Sequence, residues 1–243
     1  IKINYMTHLI LIRHGQSEWN LEKRFTGWVD VDLTSIGKLE ACKAGERIKE
    51  LNIKLDYFYS SFQLRAINTL KLIKNTLRNK NEIIKAWELN ERHYGNLTGL
   101  NKDEMKEKIG GKKILEFRRS WDIRPEPLNK TSPYHPLNIK IYENIPKKNI
   151  PNTESLEDTY NRVVPYYKKE IESKLSDQKS ILISAHGNSI RALCKYLFKL
   201  DNKKISSLEI PTGNPLIVEL DRKCKIKNCK YLIKERARDL IIF

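Results

Sequence analysis

Two short apolar runs, far apart in the chain, both stop at a histidine that is followed by glycine. The first run covers residues 9–12 and is followed by Arg-His-Gly; the second covers residues 181–185 and is followed by His-Gly-Asn. Their length and β-branched content are typical of buried strands. Ligands of open α/β sheets bind beyond the carboxyl ends of the strands. If the two strands are neighbours, both imidazoles therefore face one pocket.

The residues at the first of these strand ends suit the binding and transfer of a phosphate. Arg13 can hold two phosphate oxygens with its planar fork, and Gly15 permits close approach of a ligand. His14 can attack phosphorus if one ring nitrogen is unprotonated, which a backbone carbonyl on the other nitrogen would ensure. A hydrogen-bonded core residue is a reasonable alternative for either histidine alone, and a weak one for His14 and His186 together.

Two further polar groups are expected at the same edge of the sheet. Arg65 falls in the first turn of a helix that follows a predicted strand at residues 55–60, where the helix dipole adds to its charge. Glu91 lies in a polar run after a weaker strand at residues 82–86. A carboxylate there can act as general acid and base while the cations offset the charge of a phosphoryl group. The sequence holds no Walker loop, paired aspartates or zinc set, so no metal is predicted.

The alternation of strands and helices predicts the fold. Strands are expected at residues 9–12, 55–60, 82–86, 181–185, 216–220 and 225–232, and helices near 35–51, 61–78, 101–109, 112–121, 155–175, 189–200 and 203–208. Leu39 is assigned to the inward stripe of the first helix, Ser61 to the cap of the second, and Pro165 to a kink in the fifth. This pattern indicates an α/β three-layer sandwich with a mainly parallel sheet flanked by helices.

Residues 123–152 form an irregular insert in this pattern. The insert contains six of the nine prolines and no periodic pattern. A loop of this length in a compact domain is either functional or mobile. Two interpretations stay open, a lid over the pocket and a disordered surface insert.

The net charge of +16 favours anionic partners. The basic residues are scattered, and no element concentrates them beside aromatic residues, so specific nucleic-acid binding is not predicted. Four cysteines form no disulfide framework, which fits a reducing compartment. No apolar run is long enough to span a membrane and none resembles a secretion signal, so a cytoplasmic location is expected.

Four strings in this order, LIRHGQSEWN, RFTGWVDVDLT, LNERHYGNLTGLNK and AHGNSIRAL, resemble the cofactor-dependent phosphoglycerate mutases of the histidine phosphatase superfamily. The resemblance covers residues 9–232 and implies one mutase-like domain over residues 1–243. It implies that His14 is phosphorylated and that Glu91 donates and accepts the proton. The phosphoryl group would be held by Arg13, Arg65, His186, Asn20 and Asn188, and the substrate by Thr26, Gly27, Tyr94, Lys102, Arg118, Arg119 and Gly187.

The activity implied by the resemblance is the glycolytic and gluconeogenic interconversion of 3-phosphoglycerate and 2-phosphoglycerate. In this family a phosphohistidine converts either monophosphate to 2,3-bisphosphoglycerate, takes back the other phosphoryl group, and is primed by the same bisphosphate. A homodimer or homotetramer is also implied. The nearest alternative is a phosphatase or bisphosphoglycerate mutase of the same fold. From another class, the alternative is a catalytically idle module that binds nucleic acid or other polyanions.

Two segments depart from the family pattern. Residues 132–149 have their own sequence in place of the family's usual Asp-Pro-Arg-Tyr string, and the tail at residues 233–243 is shorter than in relatives. A shorter tail predicts weaker shelter for the phosphohistidine and more hydrolysis.

Overall fold

A single six-stranded sheet runs through residues 6–236, the part of the chain that the computed structural model describes. The strands are β1 Thr7–Arg13, β2 Tyr57–Ser60, β3 Ile83–Lys85, β4 Ile181–Ala185, β5 Leu216–Leu220 and β6 Ile226–Tyr231. Their order across the sheet is β3-β2-β4-β1-β5-β6. β1 to β4 run parallel, whereas β5 is antiparallel to both β1 and β6. The predicted mainly parallel sheet is confirmed.

Helices cover both faces of the sheet. They are α1 Glu18–Leu21, α2 Ser35–Glu50, α3 Leu64–Thr76, α4 Lys102–Ile109, α5 Gly111–Arg119, α6 Leu156–Tyr166, α7 Ser173–Ser176, α8 Gly187–Phe198 and α9 Asn202–Ser207. Because side chains alternate along a strand, Ile10 of β1 packs in one cluster with Leu70 of α3, and Leu9 packs in another with Val163 of α6. The predicted three-layer sandwich is confirmed. None of the helices within residues 6–236 is long and apolar enough to cross a membrane.

Three local predictions are wrong. Gln63, and not Ser61, is the N-cap of α3; the Ser61 hydroxyl lies two residues before this cap, where it accepts from the Gln63 backbone N–H at 3.2 Å and contacts His186. Leu39 is 70% exposed and does not belong to the buried stripe of α2. α8 begins at Gly187, two residues before the predicted start, with His186 as its N-cap; the Ser189 hydroxyl accepts from the His186 backbone N–H at 3.1 Å.

The helical segment around Pro165 changes its winding. α6 begins at the predicted capping box of Ser155 and Asp158, which is confirmed. Two residues after Pro165 the chain passes into a π-helical segment, Tyr167–Glu172, and then into α7. Proline removes one backbone donor from the helical ladder, and the irregularity expected from it takes this form.

The proline-rich insert at residues 123–152 adopts a defined conformation that a few buried side chains anchor to the rest of the protein. It forms three 3₁₀ turns, Pro136–Asn138, Lys140–Tyr142 and Lys147–Asn149. The Tyr142 hydroxyl donates to the Trp28 carbonyl at 2.6 Å, and the two rings lie 4.9 Å apart between centroids. The interpretation of this segment as a disordered surface insert is therefore wrong. No residue of 123–152 lines either of the site cavities described below, so the segment does not form a lid in this structure.

Candidate active site

The pairing of β1 with β4 brings the two strand-end histidines together. Arg13 lies opposite Ala185 in the register, and the His14 backbone N–H donates to the Ala185 carbonyl at 3.0 Å. The His14 and His186 rings lie 5.1 Å apart between centroids and are almost fully buried. The structure confirms that the two imidazoles are neighbours, but of the two only His14 lines a site cavity.

His14 is held as a neutral imidazole. Its Nδ1 lies 2.7 Å from the Gly15 carbonyl and donates to it, which leaves Nε2 with a free lone pair. Burial, followed by the charges of Arg65 and Arg13, holds the pKa of His14 well below its usual range. The neighbouring Gly15 serves packing more than ligand approach, because a Cβ there would lie 2.2 Å from the Gly37 carbonyl of α2.

Two buried arginines flank this histidine. Arg13 donates through Nη1 to the Ile210 carbonyl at 2.9 Å, and its buried Nε has no partner within residues 6–236. Arg65 donates to the carbonyls of Val29 and Gly27 at 2.8 and 2.9 Å. Burial lowers the pKa of both guanidinium groups. Both stay charged nonetheless, because the ordinary pKa of arginine lies far above neutral pH. Both cations are therefore fixed by backbone carbonyls.

His186 presents a second free ring nitrogen. Its Nε2 contacts the Ser61 hydroxyl at 2.8 Å, and its buried Nδ1 has no partner in the described part of the chain. Burial, and then the charge of Arg65, lowers the pKa of His186 well below its usual range. The orphaned Nδ1 and the orphaned Arg13 Nε fit a site for an anion that accepts hydrogen bonds.

Glu91 is oriented through one of its two carboxylate oxygens. Its Oε1 accepts from the Arg92 backbone at 2.7 Å and from the Asn188 backbone and side-chain amides at 3.2 and 2.9 Å. The Asn188 amide also donates to the Tyr94 hydroxyl, and its oxygen accepts from Arg191. The structure thus places the Asn188 side chain on Glu91 and Tyr94; its role in holding the phosphoryl group stays a prediction.

Two adjoining cavities hold most of the residues named from the sequence. The inner cavity, of about 80 Å³, is lined by Arg13, His14, Asn20, Thr26, Gly27, Arg65, Glu91, Tyr94, Lys102 and Arg118. The outer cavity, of about 490 Å³, shares Arg13, Glu91, Tyr94 and Arg118 and adds Arg119, Gly187, Asn188, Arg191, Glu209, Ile210, Pro211, Thr212, Glu235 and Arg236. His186 lines neither cavity.

The far side of the pocket is also cationic. Burial lowers the pKa of Lys102 to about 8, and its ammonium donates to the Arg24 carbonyl at 2.6 Å. Burial alone would raise the pKa of Tyr94, but the charges of Arg92 and Arg118 outweigh it and the pKa is lowered. An anionic ligand that reaches past His14 therefore meets a second group of positive charges.

Sequence reasoning missed two buried arginines near the pocket. Arg92 is fully buried, with its guanidinium carbon 4.7 Å from the centre of the Tyr94 ring. Arg191 donates to Asn188 at 3.0 Å, and burial lowers its pKa to about 9. Arg92 stands in the run around Glu91, and Arg191 one helical turn after Asn188, so proximity to predicted site residues was the available signal.

Three buried histidines make the stability of the fold depend on pH. Burial holds the pKa of His14 and His186 well below 6.5 and lowers that of His93 to about 3. Below pH 6.5 these three side chains bind more protons in the unfolded chain than in the folded chain. The free energy of unfolding therefore decreases as the pH is lowered. The loss is up to about 1.4 kcal/mol per pH unit for each histidine. Denaturant titrations between pH 6.5 and 5 should show this decline.

His93 offers a matched variant for this measurement. Its Nδ1 accepts from the Gly95 backbone at 2.9 Å, and the side-chain oxygen of His93→Asn can take that place. In this variant the free energy of unfolding should depend less steeply on pH, by the contribution of one histidine. A free energy of unfolding that stays constant or rises from pH 6.5 to 5 would contradict the prediction.

A neutral buried imidazole between fixed arginines, at the carboxyl end of a central parallel strand, defines a histidine-centred phosphoryl-transfer enzyme. The family model of the histidine phosphatase superfamily (branch 1) matches residues 9–135 and 134–229. A 2,3-bisphosphoglycerate-dependent phosphoglycerate mutase of Pelagibacter ubique is 73% identical over 98% of this chain and 100% of its own length. One of a Caulobacter species is 48% identical over 97% of this chain and 98% of its own.

A solved structure supports the same placement at the level of the fold. A mycobacterial glucosyl-3-phosphoglycerate phosphatase aligns with a TM-score of 0.66 at 22% identity, over 87% of this chain and 92% of that one. The chain belongs to the histidine phosphatase superfamily and, within it, to the 2,3-bisphosphoglycerate-dependent phosphoglycerate mutases.

Proposed function

We propose that this protein interconverts 3-phosphoglycerate and 2-phosphoglycerate in glycolysis, with His14 as the carrier of the phosphoryl group. The observation that carries this proposal is the 2.7 Å contact between His14 Nδ1 and the Gly15 carbonyl, which leaves Nε2 as the nucleophile beside the inner cavity. The identity of 73% with a curated mutase supports the choice of substrate.

The transfer step follows from the groups around His14. His14 Nε2 attacks phosphorus, the bond from phosphorus to the leaving oxygen breaks, and Glu91 gives that oxygen a proton. In the reverse direction Glu91 takes the proton from the attacking hydroxyl. Arg13, Arg65 and the start of α8 offset the charge on the transferring oxygens, and the imidazole of His186 adds a donor.

The outer cavity suits the part of the substrate that does not react. Arg118 and Arg119, together with Lys102 of the adjoining inner cavity, can grip a carboxylate and a second phosphate, which a monophosphatase does not require. Asn20, Thr26 and Gly27 of the inner cavity, and Tyr94, which lines both cavities, would complete the binding surface. 2,3-Bisphosphoglycerate is the proposed cofactor, which supplies the phosphoryl group that primes His14. Orphaned nitrogens on Arg13 and His186 fit such an anion.

The test of the function is an enolase-coupled assay of 3-phosphoglycerate, with and without a trace of 2,3-bisphosphoglycerate. Production of 2-phosphoglycerate that the bisphosphate stimulates would support the proposal. Release of inorganic phosphate without 2-phosphoglycerate would overturn it in favour of a phosphatase. Accumulation of the bisphosphate as the main product would favour a bisphosphoglycerate mutase.

Arg119→Ala should weaken the binding of bisphosphoglycerate more than the loading of His14. Arg119 lines the outer cavity and donates to the Leu208 carbonyl and to Glu209 Oε1 at 3.1 and 2.7 Å. Loss of a charged donor is expected to raise the Kd by about 10–100-fold. Calorimetry in a His14→Ala background measures the Kd, and quenched-flow labelling of the single Arg119→Ala variant at saturating bisphosphate measures loading, which should change less than about threefold.

Lys113 of the same helix provides the control for Arg119. It is an exposed cation that pairs with Glu116 and lines neither site cavity. Lys113→Ala should leave both the Kd and the loading rate unchanged. An unaltered Kd in Arg119→Ala would remove Arg119 from the second anion site.

We further infer that no metal takes part, because the buried arginines supply the positive charge that phosphoryl transfer needs. Dialysis against EDTA should leave kcat unchanged, and restoration of activity by a divalent cation would contradict this. Small phosphoglycerates are the proposed partners, the cytoplasm is the proposed location, and a homodimer or homotetramer is the proposed assembly. Light scattering of the purified protein tests the assembly.

A further inference from the structure

The loop that carries Glu91 is held by one guanidinium from another element. Arg162 of α6 donates from Nη1 to the carbonyls of Glu88 and Asn90, at 2.6 and 3.0 Å, and from Nη2 to the carbonyl of Glu91 at 3.0 Å. Three backbone acceptors within four residues therefore turn towards a single side chain. Backbone carbonyls outside regular secondary structure lack the N–H partners that a helix or sheet provides. Here the Arg162 side chain supplies the donors in their place.

Glu154 completes the arrangement. Its carboxylate accepts from Arg162 Nε at 2.6 Å and from Nη2 at 3.0 Å, which engages all five N–H groups of the guanidinium. Glu154 Oε2 also accepts from the His93 backbone at 2.7 Å, and the Glu154 N–H donates to the His93 carbonyl at 3.0 Å. The side chains of Arg162 and Glu154 are only 10% and 5% exposed. We call this pair the clasp.

The clasp stands out against the supports of the other reacting groups. His14 follows the central strand β1, and Arg65 lies in the first turn of α3, so regular backbone hydrogen bonds place both. Glu91 follows a short 3₁₀ turn, Trp87–Leu89, and has no such support. Apart from the clasp, its backbone is held by its own N–H, which donates to Gln63 Oε1 at 3.0 Å.

We propose that Arg162 and Glu154 are positioning residues that fix Glu91 for proton transfer. A displacement of about 1 Å in a reacting group can reduce its rate about 100-fold, so the loop must be rigid. The clasp does not touch the substrate; it acts by locking the backbone from Glu88 to His93. This inference rests on the proposed role of Glu91 as general acid and base.

The leaving group of the phosphoryl donor separates this role from a merely structural one. Loading of His14 from 2,3-bisphosphoglycerate expels an alkoxide, which needs a proton from Glu91 as the bond to phosphorus breaks. Loading from p-nitrophenyl phosphate expels a stable phenolate, which needs none. A misplaced Glu91 should therefore slow the first reaction and spare the second. A damaged phosphate pocket should slow both.

The experiment measures both loading rates in Glu154→Gln and Arg162→Lys by rapid quench. Glu154→Gln keeps the shape of the side chain and removes its charge, and Arg162→Lys keeps the charge and loses the fork. We expect loading from the bisphosphate to fall about 10–100-fold in each variant, and loading from the aryl phosphate to change less than about threefold. Since Glu154→Gln is isosteric, it keeps the test decisive even if Arg162→Lys does not fold.

Arg124 provides a matched control for the clasp. It also forms a forked pair with a carboxylate, that of Asp158 at 2.6 and 2.5 Å, but the pair is more exposed and makes no bond to the Glu91 loop. Arg124→Lys should leave both loading rates unchanged. Glu91→Gln serves as the reference, because it should show the same selectivity with a larger effect.

Each remaining outcome has a definite meaning. Equal losses with both donors, or no loss with either, in the clasp variants would overturn the positioning role. If Glu91→Gln itself slowed both donors equally, the proposed role of Glu91 would fail, whatever the clasp variants did. The two failures are thus distinguishable in one set of measurements.

Discussion

Replacement of His14 by alanine is expected to abolish phosphoryl transfer, with a loss in kcat on the order of 10⁶-fold, as for removal of a covalent nucleophile. His186 is the neighbouring imidazole, but it lines neither site cavity and its Nε2 is engaged by Ser61. Although its Nδ1 is free within the described residues, it is not expected to take over the phosphoryl group, because the substrate would occupy cavities that His186 does not line. Rapid-quench labelling with radioactive bisphosphoglycerate should find no acid-labile phosphoprotein in His14→Ala.

The same strand offers the control for His14. His8 lies near the opposite end of β1 and is only half-buried. His8→Ala should therefore retain both the labelled phosphoprotein and turnover. Acid-labile phosphate that persists in His14→Ala would mean that another residue carries the group, and the proposed mechanism would fail.

Glu91→Gln is expected to lower kcat by roughly 10²–10⁴-fold while KM stays within a few-fold of its normal value. Glutamine keeps the oxygen that accepts from the Arg92 backbone and the Asn188 amides, so the geometry around it should survive. It cannot exchange a proton with the substrate oxygen. Steady-state kinetics with 3-phosphoglycerate measures both constants.

Glu104 of α4 supplies the comparison for Glu91. It is exposed and lines neither site cavity, so Glu104→Gln should behave as the unmodified enzyme does. A Glu91→Gln variant that raises KM and keeps kcat would assign Glu91 to substrate binding and not to proton transfer.

The strand-end histidines could be placed from the sequence because the evidence for them is local. An apolar run of strand length, followed by polar residues, predicts both a strand and the edge at which it ends. The position of Arg65 followed in the same way from a strand and the helix after it. These inferences need no knowledge of which elements pack together, beyond the neighbourhood of β1 and β4.

The supports of Glu91 could not be predicted in this way. Arg162 meets the carbonyl of Glu91 across 71 positions of sequence, and only the packing of α6 brings them together. The Gly15 carbonyl that orients His14 depends on backbone angles that composition does not set. For the proline-rich insert, the composition predicted an irregular segment. It could not show whether the segment covers the pocket, because its position depends on the packing of Tyr142 against Trp28.

The central position of β1 also has a consequence for folding during synthesis on the ribosome. Both hydrogen-bonded neighbours of β1, β4 and β5, come from the last third of the chain. At a synthesis rate of 5–20 residues per second, β1 waits about 10–35 seconds for its first partner strand. Throughout that interval its apolar core, Leu9 to Ile12, is a natural target for chaperones. His14 is therefore synthesised long before β4 and β5, the two strands that pair with β1 and complete the sheet around it.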